Sequence, residues 1–370
     1  MVEKQETRVD SGLQQQQQQT GKELREVPIF MTAAVTNQFF ADNPLQGISM
    51  VTNFKAPSQL QSDEVLVKMI WSSVNPIDYY LNTGKLHLVD TPFVNGRDGC
   101  GQIVQLGTEA ANHFKLHDIV LGATTNWKYG TFGQYAVFKW DNLCLKPEGL
   151  SYEHAAALPV VLLTAWECFQ KIKDPRSLKR ILIHGGSGGV GSMCILLAKY
   201  YFNISCVITT CRGSNCDYVK ELGADEVLNY NDCEFDECIL KKYNEKDRAP
   251  LDAVIDPVGG DVILEKSYKL LDKNGYYITT VPLKNIDSKT SEIREIIGFG
   301  VNLVTQKLKS VLTNCPAFYA VLCNYDGKVL GQLSKWMIDQ KLSDKFQVVK
   351  YPFNELNTAL EQIHSGHTDG

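Results

Sequence analysis

The sequence lacks a long apolar run, an excess of basic residues and closely spaced cysteine pairs. A membrane-spanning helix needs about 20 consecutive apolar residues, and the longest candidate, Ala155 to Ala165, has about half that length and contains Pro159. The 37 lysines and arginines are outnumbered by 42 aspartates and glutamates, which argues against a protein that neutralises nucleic-acid phosphates. We expect a soluble protein that binds no nucleic acid; membrane association is possible but not indicated.

The 11 cysteines are scattered along 370 residues, without a C-x-x-C motif or two matched short spacings. Structural zinc sites normally use such paired spacings, so we expect no zinc knuckle. The cysteine density is also below that of a disulfide scaffold. No secretory signal precedes the chain, which favours reduced thiols in a reducing compartment.

The first 28 residues differ from the rest in composition. Six consecutive glutamines, Gln14–Gln19, lie among polar and charged residues without apolar periodicity. This predicts a disordered extension over residues 1–28, either a solvated segment or an interaction tail, with the former favoured. The segment has no apolar signal region and contains too many acidic residues for a good mitochondrial transit peptide. We expect a cytoplasmic protein, with a mitochondrial location as the alternative.

The remaining chain is long enough for two domains at about 100–200 residues each. Its first part shows short strand-like runs separated by Pro, Gly, Asn and Asp, which predicts a compact, mostly antiparallel β domain. The predicted strands are Phe30–Val35, Glu64–Ile70, Gly101–Leu106, Asp118–Leu121 and Gly133–Val137.

After about residue 150, strands alternate with helices, which indicates βαβ units and a parallel sheet. We predict strands at Arg180–His184, Ile204–Thr210, Glu226–Leu228, Ala253–Asp256, Tyr276–Val281 and Phe346–Val349. We predict helices at Tyr152–Gln170, Val190–Tyr201, Cys216–Leu222, Phe235–Tyr243, Ser291–Leu312 and Phe353–His364.

A glycine-rich segment joins the first of these strands to the helix that follows. Gly186, Gly188 and Gly191 fit the pattern G-x-G-x-x-G. The first glycine permits a tight turn, the second lets the backbone approach a pyrophosphate, and the third lets helix and strand pack closely. The helix N-terminus adds free N–H groups and partial positive charge. Because strand, turn and helix occur in order, we predict dinucleotide binding; a plain glycine-rich turn is the alternative.

The end of the second strand indicates which dinucleotide binds. NAD enzymes usually place an acidic residue there for the ribose 2′-hydroxyl, whereas NADP enzymes use a cation for the 2′-phosphate. Here Cys211 and Arg212 follow two threonines, and the next acidic residue is Asp217 in the following helix. A guanidinium group can pair with a phosphate through two N–H bonds. We therefore predict NADP(H), with Cys211 as a small neighbour of the ribose; a solvent-exposed arginine without this role is the alternative.

Several further motifs occur along the chain: V-N-P-I-D (74–78), G-R-D-G-C-G-Q-I-V (96–104), W-K-Y-G-T-F-G-Q-Y-A-V (127–137), A-A-A-L-P-V-V-L-L-T-A-W (155–166), K-E-L-G-A-D-E-V-L-N-Y (220–230) and D-P-V-G-G (256–260). Together with the glycine-rich turn, they make the chain resemble the medium-chain dehydrogenase/reductase superfamily, in its zinc-free quinone oxidoreductase branch. Within that branch it is most similar to the group of reticulon-4-interacting proteins.

The resemblance implies an α/β protein with a GroES-like β-rich catalytic domain over residues 29–150. A doubly wound Rossmann NADP-binding domain would follow over 151–315, and residues 316–370 would return to the catalytic domain. The family continues with a final strand beyond the last residues here, so the sequence is expected to be a C-terminally truncated fragment or to differ at that point.

Zinc-dependent members of the superfamily have cysteine where Asn75 or Pro76 stands and His-Glu where Arg97 and Asp98 stand. Their four-cysteine lobe has no counterpart here. Tetrahedral zinc needs three or four converging ligands. The resemblance therefore implies a protein without a metal ion.

The resemblance implies hydride transfer from NADPH to a quinone or an α,β-unsaturated carbonyl compound, bound in a cleft between the domains. Asn75 and Asp78 would line this cleft, with Tyr79 or Tyr80 near the substrate. An amide N–H or a phenol O–H can stabilise negative charge that develops on a carbonyl oxygen. The alternatives are a turn cap for Asn75 and ordinary packing for the tyrosines.

The remaining cofactor contacts are also implied by the resemblance. Residues near the pyrophosphate would be Ser187, Gly189 and Val190, and Tyr230 would lie near the adenosine ribose phosphate. Residues near the nicotinamide would be Thr164 and Thr280, and His367 with Thr368 would close over the cofactor from the C-terminal turn. One departure is Asp256, where the group often has asparagine.

Two other functions stay open. One is a mitochondrial reductase in ubiquinone metabolism, which the nearest group implies. The other is a catalytically weak adaptor that binds a protein or a membrane through the insert at 284–325, where apolar residues recur at helical spacing. These residues are Ile293, Ile296, Ile297, Val301, Val304 and Leu308. In either case we expect a homodimer or a monomer.

Overall fold

The computed structural model describes residues 27–40, 43–85, 88–243, 249–281 and 315–366. The predicted N-terminal extension lies outside these residues except for Val27 and Pro28. The predicted helix Ser291–Leu312, most of the insert, His367 and Thr368 also lie outside them. None of the described helices is both long and apolar enough to cross a membrane.

The N-terminal part contains two antiparallel sheets. In the first, β1 (Phe30–Thr36) pairs with β2 (Ile48–Lys55) on one side and β4 (Phe93–Val94) on the other. The second has the order β7-β3-β5-β6-β8. Its strands are β3 (Glu64–Ser73), β5 (Asp98–Leu106), β6 (Ile119–Ala123), β7 (Tyr135–Lys139) and β8 (Leu143–Leu145). The β-rich character predicted for this part is confirmed, and each predicted strand is found within three residues.

Short β4 and β8 and the edge strand β2 were not predicted. The side chains of β2 are exposed or half-buried along its whole length, so the alternation of apolar and polar residues that marks a half-buried strand is weak there. One helix, α1 (Pro76–Asn82), leaves β3 immediately after Asn75. Pro76 suits the first helical position, because its nitrogen has no hydrogen and needs no acceptor.

The second part is a six-stranded parallel sheet with helices between its strands. Its order, β11-β10-β9-β12-β13-β14, is that of a doubly wound dinucleotide-binding sheet. The strands are β9 (Arg180–Ile183), β10 (Cys206–Cys211), β11 (Glu226–Asn229), β12 (Leu251–Asp256), β13 (Leu271–Thr279) and β14 (Ala317–Ala320). The predicted Rossmann architecture is confirmed. Because β14 belongs to this sheet, we place the return to the N-terminal part after Ala320 rather than at 316.

The helices of the second part follow the predicted pattern with two differences. The predicted helix Tyr152–Gln170 is two helices, α2 (Tyr152–Ala157) and α3 (Pro159–Gln170), because Pro159 cannot donate to the preceding turn. A second difference is that α7 (Asp261–Tyr268) was not predicted. The remaining helices between the strands are α4 (Gly189–Leu196), α5 (Cys216–Glu221) and α6 (Phe235–Lys242). The last turn of the predicted helix Val190–Tyr201 widens into a π-helix over Leu197–Tyr201.

The predicted strand Phe346–Val349 is wrong, since these residues pair with no strand. Side chains bind their backbone instead: the Gln347 N–H donates to the Tyr218 hydroxyl at 3.1 Å, and the His154 ring contacts the Phe346 carbonyl at 3.2 Å. The final predicted helix begins with a single 3₁₀ turn and continues as α9 (Leu356–Ser365), after α8 (Gly327–Asp339).

The last two helices pack against the N-terminal part. A Cβ at Gly331 of α8 would lie 3.1 Å from the Cβ of Cys144 in β8. Leu356 and Leu360 of α9 belong to the apolar cluster of Met31 and Ala33 in β1. The largest apolar cluster lies between the parallel sheet and helices α3, α4 and α8. Burial of these faces therefore holds the two parts of the chain together.

Candidate cofactor and substrate site

The glycine-rich turn connects β9 to α4 and contains two positions where only glycine fits. A Cβ at Gly186 would lie 2.1 Å from the Thr209 hydroxyl oxygen, and one at Gly191 would lie 2.1 Å from the Gly185 carbonyl oxygen. Gly188 differs, because its added Cβ would meet only that carbonyl oxygen, at 3.5 Å. Gly188 is the N-cap of α4. The turn is therefore closely packed against the protein at Gly186 and Gly191 and has open space beside Gly188. It lies at the N-terminus of a helix whose first N–H groups have no acceptor within the helix.

The other predicted pyrophosphate contacts lie in the same turn. Ser187 is buried, and its hydroxyl accepts a hydrogen bond from the Asn215 side chain at 3.1 Å. Gly189 opens α4, and a Cβ there would lie 2.8 Å from Cγ1 of Val161 in α3. Val190 follows, half-buried. The structure thus brings Ser187 to Gly191 together and places α3 directly behind them.

Arg212 follows β10 directly, as predicted, and its side chain is exposed. Among the described residues, no carboxylate forms an ion pair with it. The nearest acidic residue along the chain, Asp217, is almost fully exposed and lies 3.5 Å from Lys220. The guanidinium is therefore available to an anionic ligand, and no acidic group at the end of β10 can accept from a ribose 2′-hydroxyl.

Cys211 and Tyr230 adjoin Arg212 at the carboxyl ends of β10 and β11. The Tyr230 N–H donates to the Cys211 carbonyl at 3.2 Å, and the Tyr230 side chain is exposed. Burial, together with the neighbouring Cys216, raises the pKa of the Cys211 thiol to about 12. Cys211 is therefore a neutral thiol at physiological pH, as expected for a small neighbour of the cofactor and not for a nucleophile.

The predicted nicotinamide contacts lie on α3 and after β13. Thr164 is buried in α3. The Thr280 N–H donates to the Asp256 carbonyl at 3.1 Å at the end of the adjacent strand. The Asp256 side chain accepts from the N–H groups of Val258 and Gly259 and from the Tyr277 hydroxyl. Asp256 therefore caps the turn after β12.

Asn75 is buried where β3 turns into α1. Its Nδ2 donates to Oδ1 of Asp98 at 2.7 Å, and its backbone N–H donates to Oδ2 of Asp78 at 2.8 Å. Asn75 is thus the N-cap residue of α1, as in the alternative interpretation, but its amide also binds a second buried carboxyl group. Tyr79 is half-buried and its ring stacks on His364 of α9, with centroids 3.8 Å apart. Tyr80 is exposed.

A buried group of charged residues, Asp78, Arg97 and Asp98, surrounds Asn75. Asp78 was predicted as a site residue, whereas Arg97 and Asp98 were not. The Arg97 Nε lies 3.9 Å from Oδ1 of Asp78, and both side chains are buried. The Arg97 guanidinium also covers the Trp127 ring at 4.8 Å. Within the described residues, Nε and Nη2 of Arg97 have no hydrogen-bond partner. The sequence signal was present: Arg97 and Asp98 are two adjacent charged residues at the start of β5, whose other residues are uncharged.

Burial raises the pKa of the Asp78 carboxyl to about 7, although the Arg97 cation and the Asn75 N–H oppose the shift. Burial raises the pKa of Asp98 to about 8, against hydrogen bonds from Val160, Asn75 and Ser73. With one cation and two carboxyls enclosed together, the group is close to neutral only when a proton is retained.

This proton affects stability. The folded protein retains a proton on Asp98 that the unfolded chain releases above its ordinary pKa of 3.8. The contribution is complete below that value and is lost as pH rises toward 8, because the folded state binds more protons throughout this window. We predict that the free energy of unfolding falls more steeply between pH 5 and 8 in the wild type than in Asp98→Asn, by at least ~1 kcal/mol. Urea unfolding at several pH values measures this, and equal slopes would contradict it.

Metal ligands do not converge at the site. Across the described parts of the chain, no group of three or more His, Cys, Asp or Glu side chains could hold a metal ion. Around Asn75 the side chains are an amide, a guanidinium and two carboxyls, and a buried cation beside the carboxyls competes with a bound metal. The ring of His113 stacks on Trp140, with centroids 3.5 Å apart.

Two family models match the chain. Residues 61–148 match the alcohol dehydrogenase GroES-like domain, and residues 222–370 match a family described as zinc-binding dehydrogenase. The chain is 28% identical over 340 residues to the human protein named NAD(P)H oxidoreductase RTN4IP1, mitochondrial, covering 86% of this chain and 83% of the relative. It is 31% identical over 237 residues to 2-methylene-furan-3-one reductase of Solanum lycopersicum, covering 62% of this chain and 57% of that protein.

Solved structures give the same architecture. The quinone oxidoreductase from Coxiella burnetii superposes with a TM-score of 0.72 at 28% identity, covering 92% of this chain and 98% of that one. The Escherichia coli quinone oxidoreductase, solved in complex with NADPH, has a TM-score of 0.70 at 20% identity, covering 92% and 98%. At that identity the second likeness supports the fold alone.

Proposed function

Because the chain belongs to the quinone oxidoreductase branch of the medium-chain dehydrogenase/reductase superfamily, we propose that it reduces quinones or α,β-unsaturated carbonyl compounds with NADPH and without a metal ion. Its relatives include proteins named NAD(P)H oxidoreductase, 2-methylene-furan-3-one reductase and NADPH-dependent alkenal/one oxidoreductase. NAD(P)H-dependent oxidoreduction is thus the activity of the family, and the acceptor and the independence from metal are proposals about this chain.

One observation carries the choice of NADPH. The glycine-rich turn opens at the α4 N-terminus, and Arg212 extends exposed from the neighbouring strand, where no carboxylate of the described residues pairs with it. The turn and helix N-terminus fit a pyrophosphate. The arginine fits a 2′-phosphate, where charge-assisted hydrogen bonds are strongest.

Bound NADPH would supply the hydride, and the chain's own residues would bind and orient the acceptor. Gly186 to Gly191 would hold the pyrophosphate, while Thr164 and Thr280 would border the nicotinamide. The Asn75 amide would donate to the acceptor oxygen as negative charge develops there, in a site where buried groups are poorly solvated. We propose that Asp78 fixes Asn75 through its backbone N–H and that Tyr79 borders the acceptor.

The direct test compares NADPH with NADH. Binding of each nucleotide is measured by thermal shift, and oxidation is followed by nicotinamide absorbance with a 1,4-quinone and a panel of enones. We expect binding and turnover with NADPH and weaker binding of NADH. Failure to bind either nucleotide would exclude the reductase, and a preference for NADH would refute the role of Arg212.

Metal independence has its own prediction. After prolonged incubation with a chelator and dialysis, kcat should stay within about twofold of the untreated value, since no bound metal polarises the acceptor. Zinc content measured by mass spectrometry should be far below one ion per chain. Activity that is lost on chelation and restored by zinc would contradict the proposal.

The location and assembly remain proposals as well. We propose a cytoplasmic monomer or homodimer, with mitochondria as the alternative location suggested by the name of the human relative. Imaging of the full chain tagged at its C-terminus, together with light scattering of the purified protein, distinguishes these cases. The adaptor alternative depended on the insert at 284–325, most of which lies outside the described residues.

A further inference from the structure

One buried carboxyl group, Asp98, connects the proposed acceptor site to the nucleotide-binding part. Asp98 is the first residue of β5 and is fully buried. Its Oδ1 accepts from the side-chain amide of Asn75 at 2.7 Å. Its Oδ2 accepts from the backbone N–H of Val160, in the first turn of α3, at 3.0 Å. The same side chain therefore binds one residue from each part of the molecule.

The contact continues from Val160 to the nucleotide turn. The neighbouring Val161 packs against Gly189, where an added Cβ would lie 2.8 Å from the valine Cγ1. Thr164 lies one helical turn beyond Val160. The Val160 carbonyl in turn accepts from the Cys323 thiol at 3.6 Å. The first turn of α3 thus lies between Asp98 and the glycine-rich turn. A shift of Val160 would also shift Val161, which packs against Gly189 in the turn proposed to bind the pyrophosphate.

The bond to Asp98 also selects one orientation of the Asn75 amide. An asparagine NH₂ group has two hydrogens, and Oδ1 of Asp98 accepts one of them. The second hydrogen stays available to an acceptor in the site. If the amide rotated by half a turn, its carbonyl oxygen would replace the NH₂ group, and a donor would become an acceptor. A carbonyl oxygen cannot stabilise negative charge on a substrate oxygen.

We propose that Asp98 is a positioning residue for the reaction: it fixes the Asn75 amide as a donor to the acceptor oxygen and holds the first turn of α3 behind the nucleotide turn. This inference rests on the proposed reductase function. Asp98 acts through Asn75 and α3 and does not itself touch the substrate.

The charges around Asp98 determine how this arrangement responds to pH. The titratable and charged groups that face it are Asp78, Arg97, Cys323 and Tyr325. Arg97 is the only cation among them. With a pKa raised to about 8 by burial, Asp98 is largely protonated at neutral pH. Ser73 pairs with Asp98 across β3 and β5, and a hydrogen bond from its hydroxyl favours the ionised carboxylate and partly opposes the rise in pKa.

A neutral Asp98 does not oppose the negative charge that develops on the acceptor oxygen beside Asn75, whereas an ionised one does. We therefore expect kcat of the wild type to fall above about pH 8, as this carboxyl ionises. Asp98→Asn has no ionisable group and should lose this alkaline decline. A purely structural role for Asp98 would lower kcat equally at every pH.

A double-mutant cycle tests the route through Asn75. With NADPH and a 1,4-quinone, Asn75→Ala should lower kcat by ~10²–10³-fold, the usual effect of removing one donor to an oxyanion. Asp98→Asn should lower kcat by at least ~10-fold, because its NH₂ group would face an N–H donor. The double variant should be no slower than Asn75→Ala within ~3-fold. If the two losses in kcat multiply, Asp98 does not act through Asn75, and this part of the proposal is overturned.

The control is Asp236→Asn, which removes another buried carboxyl, one that lies 3.3 Å from Lys266 on the far side of the parallel sheet from the site. Its kcat should match that of the wild type. Amide hydrogen exchange gives a second measurement that needs no turnover: the Val160 N–H should exchange faster in Asp98→Asn and unchanged in Asn75→Ala. Equal exchange in both variants would overturn the contact with α3.

The two proposals fail in different ways. A wild-type protein that binds NADPH but reduces none of the acceptors overturns the reductase function, and the catalytic role of Asp98 with it, whatever the exchange data show. A wild-type protein that reduces the quinone while the cycle is multiplicative, or while the alkaline decline persists in Asp98→Asn, overturns only the positioning role.

Discussion

Gly191→Ala should reduce NADPH affinity by ~100-fold, because a displaced turn loses hydrogen bonds to the pyrophosphate, and each hydrogen bond to a charged group contributes ~1.5–3 kcal/mol. A Cβ at this position would lie 2.1 Å from the Gly185 carbonyl oxygen and 2.9 Å from the Gly186 Cα. Both are backbone atoms and cannot rotate away, so the whole turn must shift. The same overpacking should destabilise the protein without nucleotide by ~1–3 kcal/mol. Fluorescence titration with NADPH and urea unfolding measure the two effects.

Gly188→Ala is the matched control in the same turn. Gly188 has φ −77° and ψ 166°, a backbone conformation that alanine adopts readily. Its added methyl group would meet only one atom, at 3.5 Å. The unliganded protein should therefore keep its stability within ~0.5 kcal/mol, while NADPH affinity falls because the methyl group points at the space for the pyrophosphate. Wild-type affinity in Gly191→Ala, or equal destabilisation by both variants, would contradict this interpretation of the turn.

These glycines were predictable from the sequence because their requirements are local. The strand, the turn and the first helical turn lie within about a dozen residues. The spacing of Gly186, Gly188 and Gly191 follows directly from how closely these three elements pack. Arg212 was predictable for a similar reason, since it follows the strand that pairs next to the turn. The parallel sheet followed from the alternation of elements in the same way.

The group around Asp98 could not be predicted in this way. Asp98 and Val160 are 62 residues apart in the sequence, and Asn75 precedes Asp98 by 23 residues. Their contacts exist only once the N-terminal sheets pack against α3. The sequence indicated two charged residues where zinc enzymes have ligands, but it did not indicate which groups they bind. The pKa shifts depend on burial and could not be inferred before the packing was known.

The strand predicted at Phe346–Val349 is wrong for the same reason, because contacts between residues distant in the sequence determine the structure there. Three of its four residues, Phe346, Val348 and Val349, are of types that favour strands, and local propensity alone predicts pairing. In the folded protein, Tyr218 and His154 bind its backbone groups from the nucleotide-binding part and from α2. Tertiary contacts thus supply the hydrogen bonds that a neighbouring strand would otherwise provide.

Cofactor choice gives the second large effect. In Arg212→Ala, the Kd for NADPH should rise ~10–100-fold, the loss expected for a hydrogen bond to a charged group. The Kd for NADH should change by less than ~3-fold, because NADH has no 2′-phosphate for the arginine to bind. The ratio of the two affinities is therefore the informative quantity, and it is insensitive to a general change in the fold.

Arg176→Ala is the matched control for this variant. Arg176 is also exposed, but it lies before β9 and hence at the amino ends of the parallel strands, opposite the nucleotide turn. Removing its charge should leave both affinities unchanged, and added salt should weaken NADPH binding to the wild type more than to Arg212→Ala. Equal losses for NADPH and NADH would mean that Arg212 supports the loop and not the phosphate. An unchanged NADPH affinity would mean that another group selects the cofactor. If Arg212→Ala weakens the binding of NADPH and leaves that of NADH unchanged, Arg212 is the residue that selects NADPH. A single exposed arginine then binds the phosphate in a chain whose net charge is negative.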